Sequence, residues 1–309
     1  GMCVSKLARK SPVYYLNGRM AKYLDRYLRE HPVDVLVMPH LYPAETLTYM
    51  KRKGVSLPLT VVVMTDYTCI PFWEETDCDY YIVPHEELLD TCVKRGIPEE
   101  KLLPFGIPVS RRFRMKADKE KAREYLGFPK DRKMFLLMGG SMGAGDLEKL
   151  TDRLWKEIGG LEGIAVICGS NKKIFQKLKK KYEGEKDVFI IGKTSQMELY
   201  MKACDIIYTK PGGLTSTEAA VSRIPIVHTA PIPGCESANR RFFVRHKMSI
   251  APKSIEDQVE EGIRLLESPD QIQAMKEAQK SCISGRAAEK IADFLEEKLD
   301  HCEKEGKGI

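Results

Sequence analysis

Residues 205–239 read Asp205-Ile-Ile-Tyr-Thr-Lys-Pro-Gly-Gly-Leu-Thr-Ser-Thr-Glu-Ala-Ala220 and, after a short gap, Pro231-Ile-Pro-Gly-Cys-Glu-Ser-Ala-Asn239. The apolar run 206–208 is typical of a buried strand, and two glycines after Lys210 and Pro211 predict the start of a helix. A helix start presents unpaired backbone N–H groups and the positive end of the helix dipole. We therefore expect a diphosphate to bind there, with Glu218 about one turn further on accepting hydrogen bonds from a ribose diol.

The same residues have a second interpretation that needs no ligand. Thr215-x-x-Glu218 has the spacing of a capping box, and Leu214 stands where a hydrophobic staple would pack. The two interpretations are compatible, because a capped helix start still has spare donors. The spacing alone leaves both open.

Composition limits the class of protein. With 309 residues, of which 43% are hydrophobic and 30% charged, the chain has an ordinary globular composition and room for two domains. The net charge of +6 suits anionic ligands or an anionic membrane surface, but it is too diffuse to indicate a nucleic-acid partner. The nine cysteines show neither C-x-x-C nor zinc spacing, so we expect reduced thiols, a cytoplasmic protein and no metal. Without an apolar run of about 18 residues, the chain is predicted to lie on a membrane at most.

Apolar runs alternate with helical periodicity along the whole chain, which predicts parallel βαβ units. The predicted strands are 33–38, 59–64, 80–83 and 102–105, then 134–138, 164–168, 188–191, 206–209, 225–228 and 248–251. We predict an α/β protein of two Rossmann-like, doubly wound domains, 2–113 and 114–284, with a terminal helix in 285–309 that packs back toward the first domain. Because the first half begins with a helix and offers four strands, its domain is expected to be incomplete at the N-terminus.

Three further strand ends suggest where a ligand binds. Gly139-Gly-Ser-Met-Gly-Ala-Gly145 holds four glycines in seven residues, more than a tight turn needs, and favours the close approach of a phosphate. Its spacing is that of neither the Rossmann nor the Walker loop. Gly169 ends the next strand, and Thr194 follows the third, where backbone amides are placed to pair with a base edge. Two glycine-rich helix starts in one sheet indicate a ligand with a diphosphate and a second polar end, such as a nucleotide sugar.

These motifs resemble a known family. Thr209-Lys-Pro-Gly-Gly-Leu-Thr-x-x-Glu-Ala219 and Pro233-Gly-x-Glu-x-x-Asn239 resemble the monogalactosyldiacylglycerol synthases and processive diacylglycerol glucosyltransferases, with the peptidoglycan-precursor N-acetylglucosaminyltransferases as more distant relatives. The resemblance extends over nearly the whole chain. It includes Leu137-Met-Gly-Gly-Ser-Met-Gly143, Val166-Ile-Cys-Gly169, Met197-x-Leu-Tyr-Met-x-x-Cys-Asp205, Met64-Thr-Asp66, Trp73 and Gly106-Ile-Pro108.

The resemblance implies a GT-B fold, in which the second domain binds the nucleotide sugar and the first binds the acceptor. It implies that Glu218 holds the ribose, that Glu236 and Asn239 meet sugar hydroxyls, and that Thr194 faces uracil. The remaining donor-side positions it implies surround the diphosphate and sugar: Gly140, Ser141, Met142, Gly143, Gly169, Pro211, Gly212, Gly213, Thr215, Gly234 and Cys235. No metal or other cofactor is expected, because helix dipoles and backbone donors offset the charge of the leaving diphosphate.

The chain departs from the family pattern at three places. The family's opening Gly-x-Gly-His loop, whose histidine is its expected general base, is missing from this sequence and is expected upstream of Met2. Ile70 stands where relatives often carry a histidine, and Cys235 stands where they carry a glutamine. Asp66 and Trp73 are the acceptor-side candidates. His40 and Asp66 are the candidates for a catalytic base, although a histidine at a strand end is often structural, and Trp73 is as well suited to core packing.

The leading hypothesis is a glycosyltransferase that moves galactose, glucose or N-acetylglucosamine from a UDP-sugar to a lipid such as diacylglycerol. The expected setting is the cytoplasmic face of the membrane, with the protein bound peripherally. One alternative is a non-catalytic nucleotide-sugar-binding subunit, or a truncated form, completed by a separate N-terminal polypeptide. A UDP-sugar epimerase is a further alternative, and it would need its own acid/base set.

Overall fold

The computed structural model describes residues 12–116, 118–139 and 146–304. They form two compact units, one made of the described residues of Gly1–Pro108 and Arg286–Ile309, the other of Val109–Gly285. Each unit has a parallel sheet with helices packed on it, so the predicted α/β fold class is confirmed. None of the described helices is both long and apolar enough to cross a membrane.

The described residues of the first unit form four strands and five α-helices. The strands are β1 (Val35–Met38), β2 (Leu59–Val63), β3 (Tyr80–Ile82) and β4 (Leu102–Leu103). The helices are α1 (Pro12–Gly18), α2 (Ala21–Glu30), α3 (Leu41–Arg52), α4 (Leu89–Lys94) and α14 (Ala287–Lys304), and short 3-10 helices lie at Trp73–Glu75, Glu86–Leu88 and Glu99–Lys101.

The first sheet is parallel, with its strands in the order β1-β2-β3-β4. Alternate residues of a strand face opposite sides, and β2 shows the consequence. Val62 packs in the cluster formed with α2, α3 and α4, whereas Val61 and Val63 pack against Ile291 of α14. Both faces of β2 are therefore buried, which explains why its sequence is apolar throughout.

The second unit contains five strands and nine α-helices among the described residues. The strands are β5 (Met134–Met138), β6 (Gly163–Ile167), β7 (Val188–Ile191), β8 (Ile206–Thr209) and β9 (Ile226–His228). The helices are α5 (Arg111–Arg114), α6 (Lys119–Leu126), α7 (Leu147–Ile158), α8 (Lys172–Lys181), α9 (Met197–Ala203), α10 (Gly213–Ser222), α11 (Cys235–Arg245), α12 (Ile255–Leu266) and α13 (Pro269–Cys282).

The second sheet runs in the order β7-β6-β5-β8-β9, and all its strands are parallel. The chain builds outward from β5 to β7 and then crosses back to place β8 on the other side of β5. This reversal is the switch point of a doubly wound sheet, the place where such sheets bind ligands.

Two elements differ from prediction. The predicted strand at 248–251 is reduced to a single bridge between Val227 and Ile250, since Lys247 takes a left-handed φ of 56° before it and Pro252, which has no N–H to donate, follows. The first half begins with two helices, α1 and α2, instead of the one helix expected, and they separate after Gly18. A Cβ at Gly18 would lie 2.7 Å from the Tyr49 ring, so this glycine allows α1 to pack closely on α3.

Candidate functional site

The carboxyl ends of β5 to β9 meet at one edge of the second sheet, and the predicted donor-side residues follow those ends. Gly169 follows β6, Thr194 follows β7, and Pro211 to Gly213 follow β8. The Gly140, Ser141, Met142 and Gly143 predictions fall after β5 and lie outside the described residues. Since the β8 loop stands at the switch point, the fold places this loop where doubly wound sheets bind ligands.

The start of α10 has no side-chain cap among the residues that the structure describes. Gly212 is the N-cap residue, and no side chain among the described residues bonds to the first-turn amides. The capping-box interpretation is therefore wrong: Thr215 is already inside the helix, so its hydroxyl is not at the N-cap position. The two glycines instead open the helix, leaving first-turn N–H groups available to an anion.

Gly212 is open on the side where a side chain would project. Its φ of −70° is accessible to any residue, and a Cβ built there meets nothing within 4 Å. Neither backbone conformation nor packing among the described residues thus requires glycine at this position. A ligand that approaches the backbone closely would require it.

An ion pair joins two predicted segments of the site. Lys210, directly after β8, places Nζ 3.0 Å from Oε1 of Glu236 in the first turn of α11, and both side chains are mostly buried. The other carboxylate oxygen of Glu236 accepts a 2.6 Å hydrogen bond from the N–H of Ile232. From the sequence, Lys210 was predicted only to end a strand. Its position next to the Pro-Gly-Gly turn could have indicated that it belongs to the site.

Glu218 lies on α10 within two turns of its start and is half-buried. Burial raises the pKa of its carboxyl group to about 7, and the nearby Glu198 carboxylate adds to the rise. At neutral pH the group is therefore divided between acid and carboxylate, and hydrogen-bond donors from a ligand would favour the carboxylate.

The second glycine-led segment begins at Gly234, which precedes α11. Its φ of 115° is a conformation that side chains rarely adopt, so glycine is required by the backbone here. Cys235 is half-buried, whereas Asn239 is fully buried within α11. The amide that was predicted to meet the sugar is therefore covered by protein.

Thr194 and Thr215 are half-buried, and Pro211 is buried. The Thr194 hydroxyl accepts a 3.0 Å bond from the Gln196 N–H, which fixes the turn after β7. Gly169 adopts a left-handed φ of 58°, as a turn residue after β6. The structure therefore brings these residues to one edge, although Thr194 and Gly169 already have local structural explanations.

A buried histidine, His228, holds the first turns of α10 in place through a hydrogen bond. The two ring nitrogens of His228 each lie 3.0 Å from a serine hydroxyl, Ser216 of α10 and Ser249. Burial, reinforced by Arg240, lowers the pKa of His228 to about 3, so the ring is neutral. Because a neutral ring donates through one nitrogen and accepts through the other, His228 fixes α10 rather than supplying a proton.

In the first unit, His40 has a structural role that limits it as a base. It caps α3, and its Nδ1 accepts a 3.3 Å bond from the Tyr42 N–H. A neutral imidazole that accepts at Nδ1 carries its proton on Nε2, which then faces outward as a donor. Asp66 is half-buried in the loop after β2, also at the carboxyl edge.

Trp73 is only 3% exposed and packs in the core with α3 and α4, as its alternative interpretation proposed. Close by, sequence reasoning missed Glu45 of α3, which is fully buried, and neither of its carboxylate oxygens has a hydrogen-bond partner among the described residues. Burial, then the charges of Glu75 and Glu74, raise the pKa of Glu45 to about 8, so that it is mostly protonated at neutral pH. Glu45 stands in an ordinary helical sequence, and nothing in that sequence indicated that its carboxyl group would be buried.

Two units that each carry a parallel sheet with helices on it are the two Rossmann-like domains of a GT-B fold. The family model for glycosyl transferases group 1 matches residues 118–281, which is more than half of the chain, and this protein belongs to that family. The model for monogalactosyldiacylglycerol (MGDG) synthase matches residues 2–109.

Curated relatives match along nearly the full chain. The processive diacylglycerol beta-glucosyltransferase of Bacillus pumilus (strain SAFR-032) is 27% identical over 296 residues, covering 94% of this chain and 75% of that protein. The enzyme of the same name from Bacillus mycoides (strain KBAB4) is 26% identical over 290 residues, covering 93% and 73%.

Solved structures share the fold at low identity. MurG of Acinetobacter baumannii has a TM-score of 0.65 and 14% identity, covering 94% of this chain and 81% of that one. A putative UDP-N-acetylglucosamine 2-epimerase from Listeria monocytogenes has a TM-score of 0.67 and 12% identity, covering 96% and 82%.

Proposed function

We propose that this glycosyltransferase moves a hexose from a UDP-sugar to the hydroxyl of a diacylglycerol-type lipid. The observation that carries the proposal is the start of α10 at the switch point, which no described side chain caps, with Gly212 open to a ligand and Lys210 beside it. An anionic diphosphate fits these donors, and the names of the curated relatives supply the sugar and the lipid.

In this reaction the acceptor oxygen bonds to the sugar anomeric carbon as the bond from that carbon to the diphosphate breaks. UDP leaves with the bonding electrons, and a base takes the acceptor proton. The N–H groups of α10 and the Lys210 ammonium offset the developing charge on the diphosphate. We propose that these groups suffice without a metal; activity unchanged by EDTA supports this, and activity restored only by Mg²⁺ contradicts it.

We propose Asp66 rather than His40 as the base supplied by the described part of the first unit. The hydrogen bond at Nδ1 of His40 leaves Nε2 protonated, so the ring has no free lone pair facing outward. Asp66→Asn should remove most of the transfer activity while His40→Asn, which retains a capping oxygen, should keep it. The reverse ranking would assign the base to His40.

The transfer itself is tested by measuring UDP release from UDP-glucose, UDP-galactose and UDP-N-acetylglucosamine, each with and without diacylglycerol. Release that depends on the lipid, with a glycosylated lipid recovered, supports the proposal. Conversion of UDP-N-acetylglucosamine to its epimer without any acceptor would instead favour the 2-epimerase activity for which the Listeria protein is named.

We further propose that α1 and α2 bring the protein to an anionic membrane surface. Tyr15, Leu16 and Met20 are each more than half exposed, and Tyr23 and Tyr27 continue the apolar surface. Basic residues lie between them at Arg19, Lys22 and Arg26. Aromatic and basic side chains together suit the headgroup region of a bilayer. Flotation with phosphatidylglycerol vesicles, lost in Tyr23→Ser/Tyr27→Ser, is the expected result; unchanged flotation contradicts it.

A second candidate is a nucleotide-sugar-binding subunit whose first sheet is completed by another polypeptide. The observation in its favour is the edge strand β1, in which Val37 is 47% exposed although its neighbour Val61 is buried by α14. An added strand would pair with β1 and cover Val37. UDP binding without turnover by this chain, with turnover gained on mixing with a partner polypeptide, would favour this candidate.

A further inference from the structure

A basic cavity of about 580 Å³ lies in the second unit, at the edge of the sheet opposite the candidate donor site. Its lining includes Lys133, Asp205 and Pro225, the residues that directly precede β5, β8 and β9. Because these strands are parallel, their amino ends share one edge, and the length of the sheet separates the cavity from the carboxyl edge that holds the candidate donor site.

The lining of this cavity carries a strong charge imbalance. Its described residues include one acidic side chain, Asp205, against the basic side chains of Arg114, Lys116, Lys119, Lys133, Lys202, Arg223 and Lys276. Asp205 is already engaged, since its carboxylate bonds Lys119, accepts a 2.8 Å bond from Arg123 and accepts another of 2.8 Å from the Met134 N–H. It therefore has little capacity left to balance the other cations.

Besides Lys119, which bonds Asp205, Lys202 and Arg223 also have structural partners. Lys202 Nζ donates a 2.6 Å bond to the carbonyl of Arg112, and Arg223 donates one of 2.6 Å to the carbonyl of Ala220 at the end of α10. Cations at such carbonyls stabilise helix ends, which accounts for both residues without a ligand.

No contact of this kind explains the presence of Lys133 and Lys276 in the cavity. Their ammonium groups make neither a hydrogen bond nor an ion pair with the residues that the structure describes, and Lys276 is half-buried on α13. Burial, then the charges of Lys119 and Lys133, lower the pKa of Lys276, against the opposing effect of Asp205. Cations that repel one another in a partly enclosed cavity are stabilised by a bound anion.

We propose that this cavity is a second ligand site, which binds a small phosphate-bearing compound. The phosphate would lie between Lys133 and Lys276, whose ammonium groups are unpaired within the described part of the chain. The apolar wall formed by Val221, Ile224, Leu266 and Ile272 would contact the rest of the molecule. The volume is that of an ordinary small-molecule site and exceeds the needs of a single phosphate ion.

The test is calorimetric titration of the chain with inorganic pyrophosphate, with Gly212→Ala measured beside it to block any diphosphate site at the other edge. We expect Lys133→Gln/Lys276→Gln to weaken pyrophosphate binding by at least about tenfold, the loss typical for hydrogen bonds to charged groups. The matched control is Lys173→Gln, an exposed lysine on α8 of the same unit, which should bind as the wild type does. Absence of binding to the wild type, or equal affinity in the double variant, would overturn the proposal.

A footprint on the unmodified chain tests the same site without a substitution. Pyrophosphate should slow reductive methylation of Lys276 but not of Lys173, since only the first lies in the cavity. Equal rates at Lys276 with and without pyrophosphate would contradict the assignment. Because Gly212 lies at the other edge and a Cβ there is expected to block the diphosphate, Gly212→Ala should retain the pyrophosphate binding that depends on Lys133 and Lys276. This result separates the proposal from the donor site.

The phosphate group could belong to a free metabolite or to a lipid headgroup, and vesicles distinguish the two sources. If the double variant also loses flotation with phosphatidylglycerol vesicles relative to Lys173→Gln, a lipid headgroup reaches the cavity. If flotation is unchanged while pyrophosphate binding is lost, the ligand is a free phosphate compound.

Discussion

Lys210 Nζ lies 3.0 Å from Glu236 Oε1, and this ion pair ties the end of β8 to the first turn of α11. The two segments are 26 residues apart in the chain. The pair therefore fixes the distance between the helix start proposed to bind the diphosphate and the segment proposed to bind the sugar.

We expect Lys210→Met to weaken UDP binding by about tenfold or more, because a charge-assisted contact to the diphosphate is lost and Glu236 keeps an unpaired charge. Glu236→Gln retains the Lys210 charge and should bind UDP nearly as well, while losing affinity for the intact UDP-sugar. Calorimetry with both ligands measures the difference. Equal UDP affinity in wild type and Lys210→Met would contradict a role for Lys210 at the diphosphate.

The two open glycines should respond differently to alanine. At Gly212 an alanine has free space for its Cβ and an ordinary φ, so Gly212→Ala should lower the free energy of unfolding by about 1 kcal/mol or less. The same Cβ would stand in the path of the diphosphate, so UDP binding should be abolished.

Gly234→Ala is the matched comparison. Its φ of 115° forces a side chain into a strained conformation, so about 1–3 kcal/mol of stability should be lost. Denaturant unfolding and calorimetry on both variants give the two quantities. If Gly212→Ala still binds UDP like the wild type, the ligand does not approach that backbone.

Binding of UDP should depend on the ionisation of Glu218. Its pKa of about 7 means that the carboxylate, the form that accepts from a ribose diol, grows as pH rises through that value. Affinity should therefore be lower at pH 6 than at pH 8. In Glu218→Gln this dependence should disappear together with most of the affinity, and a pH profile that survives the substitution would assign the titration to another group.

Glu45 should make stability fall as pH rises. Its pKa is raised from 4.5 in the unfolded chain to about 8, so the folded protein binds more protons between those values. Stability falls by up to about 1.4 kcal/mol per pH unit across that window, and the loss is complete above the folded pKa. The carboxylates of Glu74 and Glu75 face the same group and raise its pKa further.

Glu45→Gln removes this titration, so its unfolding free energy should change less than that of wild type between pH 5 and pH 8.5. Glu296→Gln, an exposed glutamate on α14 of the same unit, should keep the wild-type slope. Urea unfolding at the two pH values measures both. A wild-type slope in Glu45→Gln would mean that Glu45 is not the group responsible.

The strands of the second sheet were predictable because each is a short apolar run, and β5, β7 and β8 are followed directly by a glycine or a lysine. The apolar run 206–208 also predicted β8, and the glycines after it predicted the helix start at the carboxyl edge of the sheet, where the candidate site lies. The break between α1 and α2 was not predictable, since it depends on the Tyr49 ring packing against Gly18 from another helix.

The same limit applies to side-chain roles. Thr215-x-x-Glu218 fits a capping box with Thr215 at the N-cap, yet the N-cap is Gly212, three residues earlier, because the backbone at Gly212 and Gly213 already turns into the helix. The buried state of Glu45 and the pairing of Lys210 with Glu236 depend on which elements pack together, and local sequence does not specify that.

The central claim is that the edge around Gly212 and Glu218 is a UDP site, and calorimetric titration with UDP and GDP tests it most directly. We predict saturable binding of UDP, weaker binding of GDP, and loss of UDP binding in Glu218→Ala while Lys173→Gln binds normally. Failure of the wild type to bind either nucleotide, or undiminished UDP binding by Glu218→Ala, would contradict the account.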